Sequence, residues 1–272
     1  QPQEPKLPAA TDEELLSLLS VPDTCENLND FLKCFDLPLS LLQTEEALEE
    51  AVYLILSEMR KDGVIYAELR FAPQFHTQKG MTQETAIQSA LRGLKKSPIP
   101  GNLILCCMRG SSNQQENMET LDLARRYLTE DGGVVAVDLA GAEASYPMTE
   151  FMNLFQNARR IGMPFTIHAG ECGSAENIKT AVDAGAARIG HGIAMRGYAD
   201  VQKELQKKGI GIEMCPISNL QTKAVESTKN YPMREFLNAG LKVTVNTDNR
   251  TVSNTTLTKE LEFIQKNYRI TD

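Results

Sequence analysis

From Val64 onward the chain alternates short apolar runs with longer amphipathic segments, and this rhythm constrains the fold more than any other feature. The runs are Val64–Phe71, Leu103–Met108, Val134–Ala140, Pro164–Ala169, Ala187–Gly192, Ile210–Pro216 and Leu241–Asp248. Helical spacing fills the intervals, as in Leu121–Leu128, Phe151–Ile161, Ala175–Ala184, Ala199–Lys208, Met233–Ala239 and Leu257–Lys266. The result is about seven strand–helix units. Their strands are β-branched without clean alternation of apolar and polar positions, which predicts a parallel sheet covered on both faces.

An open doubly wound sheet and a closed barrel share this rhythm but distribute their chemistry differently. The open sheet gathers its ligand at one switch point, usually beside a Gly-rich phosphate loop, and no such loop follows any run here. In a barrel all the loops converge on one rim. Polar groups follow nearly every run: Arg70 and His76, Arg109, Gly141 and Glu143, His168 and Glu171, His191, Ser218 and Asn219, Asp248 and Asn249. The expected fold is therefore α/β, a (β/α)8 TIM barrel with about seven of its eight strands visible.

The chain reads as one barrel domain over 1–272, with a helical segment at 1–63 and the repeated units at 64–272. The Pro-rich opening QPQEPKLPAA predicts an extended start, and Thr11-Asp12-Glu13-Glu14 predicts a capping box opening the first helix. Leu28, Phe31 and Leu32 predict a second helix, and Thr44 opens a longer one reaching Lys61-Asp62-Gly63.

Composition removes several function classes. With 42% hydrophobic and 24% charged residues among 272, the chain can bury a large core. No apolar stretch approaches the ~20 residues that cross a bilayer. A net charge of -8 without any Lys/Arg run argues against nucleic acid as a partner. The six cysteines form no C-x-x-C pair and read as reduced thiols of a cytoplasmic protein.

Only three histidines occur, and two stand at strand ends, His168 in Thr-Ile-His-Ala-Gly-Glu and His191 in Ile-Gly-His-Gly. Asp248 ends another apolar run; its plain role would be a helix cap, but helical spacing resumes only near Thr256. Two imidazoles and a carboxylate suit a divalent metal that activates water, leaving Glu171 free as a general acid. The plainer alternatives are structural strand-end histidines and a solvated loop glutamate. Cys215 reads as a small buried hydrophobe, and His76 either touches substrate at the rim or sits on an exposed loop.

The ordered segments Thr-Ile-His-Ala-Gly-Glu (166–171), Ile-Gly-His-Gly (189–192), Cys-Pro-Ile-Ser-Asn (215–219) and Val-Asn-Thr-Asp-Asn (245–249) resemble the successive strand-end motifs of the adenosine deaminase family. Tyr-Ala-Glu-Leu-Arg-Phe-Ala-Pro-Gln-Phe-His (66–76) and Asp-Leu-Ala-Gly (138–141) extend the resemblance over nearly all of the chain from Val64. It implies a zinc-dependent hydrolase of the amidohydrolase type that converts adenosine or 2′-deoxyadenosine to inosine or 2′-deoxyinosine and ammonia. It implies His168 and Asp248 as ligands of one Zn2+ per chain, another divalent metal being the alternative, and Glu171, His191 and Asp248 as catalytic residues. Zinc would bring the pKa of a water to ~7 for attack on purine C6. Glu171, kept protonated by burial, would protonate N1, and His191 would orient the attacking group or take its proton. Gly141 would approach the purine edge through its backbone, and Asn249 would face N7.

The family's first strand carries a His-x-His pair that supplies two further ligands, and none occurs here. The expectation is that this strand is lacking together with the natural start, the chain beginning at Gln1, and that the chain as written is inactive. Asn249 stands where many relatives have a second aspartate, and Ala142 where an acidic residue is common. Two alternatives remain: a deaminase of adenine or another 6-aminopurine, and a metal-free inactive relative that only binds nucleosides.

Overall fold

The computed structural model describes residues 8–270, so most of the Pro-rich opening lies outside the described residues. Helices come first: α1 (Asp12–Leu19), α2 (Leu28–Lys33), α3 (Asp36–Leu41) and α4 (Glu45–Lys61). Three of their starts follow from local chemistry. Thr11, Asn27 and Thr44 have extended backbones, and each side-chain oxygen accepts the N–H three residues on, from Glu14, Asp30 and Ala47. The Thr11 turn departs from a reciprocal capping box, because Glu14 Oε2 accepts from the Ala10 N–H, 2.8 Å away, one residue earlier than that motif requires.

Among the described residues seven parallel strands follow: β1 (Ala67–Phe71), β2 (Gly101–Met108), β3 (Val134–Ala140), β4 (Thr166–Ala169), β5 (Arg188–His191), β6 (Gly211–Met214) and β7 (Lys242–Val245). They match the seven apolar runs. β1 starts later than the run at Val64, since the Val64 N–H is taken up by Met59 O at the end of α4. Between the strands lie α5 (Gln83–Lys96), α6 (Gln114–Arg126), α7 (Met152–Arg160), α8 (Ala175–Ala184), α9 (Ala199–Lys208), α10 (Pro216–Gln221) and α11 (Met233–Asn238), with α12 (Leu257–Tyr268) last.

β1-β2-β3 and β4-β5-β6-β7 form two ladders, which a bridge between Val137 and Phe165 joins. Side chains crossing the interior show how far the sheet curls. Arg70 on β1 reaches Asp138 on β3 at 3.1 Å and Glu213 on β6 at 2.6 Å. Glu68, also on β1, meets Arg188 on β5 at 2.7 Å, and Arg188 meets Glu213 at 2.8 Å. Contacts from the first strand to the fifth and sixth require a barrel rather than an open sheet. The sequence predicts apolar strands; the charged lumen is a tertiary feature.

Outside the strands one apolar cluster runs from Val52 and Leu56 of α4, through Leu103, Leu139, Ile167, Ile189 and Ile212, to Ile264 and Tyr268 of α12. Among the described residues β1 and β7 are each paired on one side only, and they are the least buried strands. Asp62, just past α4, closes the turn of the chain by accepting the Leu257 N–H at 2.9 Å at the start of α12.

Candidate active site

The C-terminal ends of β3, β4, β5 and β7 bring the expected groups together. Ligand-type atoms of His168, His191 and Asp248 lie within 4.8 Å of one another. The two imidazole centroids are 5.1 Å apart, and Glu171 Oε2 sits 3.5 Å from His191 Nε2. His191 and Asp248 both adopt left-handed backbones, with φ of 65° and 53°. For non-glycine residues this conformation is costly, and its concentration here marks a site whose geometry the surroundings impose.

Each group has a partner that the sequence reading did not assign. His168 Nδ1 lies 2.7 Å from Oδ2 of the fully buried Asp138 on β3, leaving Nε2 for a ligand. Burial opposes the ionised form of Asp138, but His168 and Arg70 outweigh it and hold the carboxyl well below the usual carboxylate range. Burial by itself would depress the His168 imidazole; Asp138 overrides this and raises it.

Helix α10 and its C-cap Thr222 serve the other three groups. Ser218 Oγ donates to Asp248 Oδ2 at 2.7 Å, Asn219 Nδ2 lies 2.9 Å from His191 Nδ1, and Thr222 Oγ1 donates to Glu171 Oε1 at 3.2 Å. Pro216 sits in the first turn, where its missing N–H costs nothing. The sequence reading placed Ser218 and Asn219 on the rim but gave them no task, and it passed over Thr222. Their spacing, one and then three residues apart, is the signal that a short helix would have supplied.

Glu171 is buried, 8% exposed. That burial raises its pKa; His191 opposes the shift and Asp248 adds to it. The solvated-loop alternative therefore does not apply. Asn249 Nδ2 donates to Asp248 Oδ1 at 2.8 Å, so one of its amide hydrogens faces the carboxylate and the other remains available. Gly141 closes β3 with a φ of 104°, next to Arg109. His76 is buried rather than on an exposed loop, and its Nδ1 meets Leu42 O at 2.7 Å. Cys215 is buried, as its reading expects. Asp248 is not a helix cap, because Thr256 caps α12.

The donor set fits a divalent cation. It combines imidazole and carboxylate, and a buried carboxylate stands behind one imidazole, the usual support for a metal-bound histidine. No helix among the described residues is long and apolar enough to cross a membrane.

Comparison with known proteins shows the family and the fold. The adenosine deaminase of Haemophilus ducreyi is 50% identical over 270 residues, covering 97% of this chain and 78% of that protein. Among solved structures, the adenine deaminase of Arthrobacter aurescens superposes with a TM-score of 0.86 at 28% identity, covering 98% of this chain and 80% of that one. An amidohydrolase from Burkholderia ambifaria, solved with bound Zn, shares the fold at a TM-score of 0.84 and 21% identity, over 96% of this chain and 73% of its own. The sequence model of adenosine deaminase matches residues 1–272, and on that match together with the shared half of its residues, the chain belongs to the adenosine deaminase family.

Proposed function

We propose that the protein hydrolyses adenosine or 2′-deoxyadenosine to inosine or 2′-deoxyinosine and ammonia, residues 1–272 contributing one barrel domain to it. The observation that carries this reading is Glu171, a buried carboxyl with a raised pKa beside two imidazoles and a carboxylate. A carboxyl whose burial favours the protonated form is what protonation of a purine ring nitrogen requires.

His168 and Asp248 would hold one Zn2+. When bound, the metal supplies Lewis acidity that brings the pKa of water to about 7. Glu171 passes its proton to purine N1, which breaks the ring's aromaticity and makes C6 electrophilic. His191, whose Nδ1 faces the Asn219 amide nitrogen, uses Nε2 to orient the attacking water. Water oxygen bonds to C6 and its two protons are given up, one to N6, which leaves as ammonia when the C6–N6 bond breaks, and one back to Glu171. The Gly141 backbone would approach the purine edge, and the second amide hydrogen of Asn249 would face N7. The net charge of -8 suits an uncharged nucleoside better than a polyanion. We place the protein in the cytoplasm on the strength of six free thiols.

Two further readings enter the test. One takes the free base as substrate, for which similarity to an adenine deaminase structure gives weak support. The other is a metal-free nucleoside binder, although such a protein would have no use for Glu171 as an acid. Ammonia release from adenosine and from adenine, with zinc and with a chelator, separates the three. Faster zinc-dependent release from adenosine supports the proposal, and faster release from adenine overturns its substrate. No release from either, with metal-independent calorimetric binding of inosine, establishes the binder.

A further inference from the structure

We propose that Glu143 is a positioning residue that sets the backbone carrying Glu171, a role that rests on the reading of Glu171 as the proton donor. Glu143 follows β3 by three residues and is buried, 2% exposed. Its Oε1 accepts from the Gly170 N–H at 2.6 Å and from Asn177 Nδ2 at 2.9 Å. Its Oε2 accepts from the N–H groups of Glu171 at 2.9 Å, Cys172 at 3.2 Å and Gly173 at 3.2 Å. Four successive backbone donors of the β4–α8 turn thus converge on one side chain, in the manner of the N–H concavities that bind anions.

Chemistry explains why this position takes a carboxylate. All five partners are donors, and an ionised carboxyl is the side chain that only accepts. Glutamine would turn an NH2 group toward backbone N–H groups and leave some of them buried without a partner. The turn is shaped to admit the carboxylate. Gly170 has a φ of 74°, and a Cβ at Gly173 would lie 2.7 Å from Glu143 Oε1. The loop bearing Glu143 is itself braced by Arg109, which donates to Tyr146 O and to His168 O, each at 2.6 Å. Glu143 therefore transfers the position of the β3 loop to the β4 loop, and Glu171 is delivered to Thr222 and His191.

Zinc-loaded wild type, Glu143→Gln, Glu143→Asp, Glu171→Gln and the Glu143→Gln/Glu171→Gln double variant test this together, by steady-state kinetics on adenosine and by amide hydrogen exchange. Glu143→Gln is expected to lower kcat by about 10²-fold with KM little changed, the effect of displacing a reacting group by about 1 Å. In the Glu171→Gln background the same change should cost nothing further, because the group it positions is already gone. Exchange at residues 170–173 should rise in Glu143→Gln while α5 stays protected, and Glu143→Asp, which keeps an acceptor-only group, should recover part of both the protection and the rate. Unchanged exchange at 170–173, or equal losses in the two backgrounds, overturns the proposal. If Glu171→Gln is as active as wild type, the catalytic reading fails instead, and the exchange data still decide whether the clamp exists.

Discussion

Glu171 and Asp138 show how single carboxyl groups take opposite roles in one site. Burial raises Glu171, with Asp248 adding to the effect, so its protonated form is favoured relative to a free carboxyl. Activity that needs this proton is present below the raised pKa and is lost as pH rises through it, so kcat/KM should fall on the alkaline side of that point. Glu171→Gln should lower kcat by ~10²–10⁴-fold, the usual contribution of a general acid; steady-state rates near wild type would remove Glu171 from the mechanism. Asp138 is held ionised by His168 and Arg70 despite its burial, and it orients His168. Asp138→Asn should weaken zinc binding by ~10–100-fold in competition with a chromophoric chelator, and an unchanged affinity would refute the support role.

At the scale of elements, α10 and α12 decide the geometry on one side of the site. α10 sends Ser218 and Asn219 to Asp248 and His191, its C-cap Thr222 reaches Glu171, and Glu260 of α12 holds its first turn by accepting the Ile217 N–H at 3.2 Å. Burial pushes the Glu260 carboxyl up to about 7. The folded state then binds a proton that the unfolded chain releases near ~4.3, so stability falls as pH rises from there toward 7 and stays reduced above it. Glu260→Gln keeps an acceptor for Ile217 and cannot ionise. Its thermal midpoint should exceed that of wild type at pH ~8 and match it at pH ~4, a difference worth a few kcal/mol at most; a constant offset at both pH values would show that Glu260 is not protonated in the fold.

Across the whole molecule, the barrel is held by charges that meet through its lumen. Arg70 touches both Asp138 and Glu213, so removing it leaves Asp138 with His168 and Glu213 with Arg188 as the remaining charged partners of two buried carboxylates. Arg70→Ala should cost about 3–5 kcal/mol in denaturant unfolding, and a loss under ~1 kcal/mol would mean that water or repacking replaces the guanidinium. The sequence by itself determined the order and number of the strands, because β-branched apolar runs separated by helical periods leave few other folds. It also determined that His168, Glu171, His191 and Asp248 share a rim, since strand ends converge wherever such units close on themselves. Only the tertiary structure decided the partners. Asp138 with His168, Glu143 with the 170–173 turn, Thr222 with Glu171 and Arg70 with Glu213 are separated by between 27 and 143 residues. Periodicity carries no information about such pairs, whereas the closure of the sheet fixes them by bringing distant loops within hydrogen-bond reach.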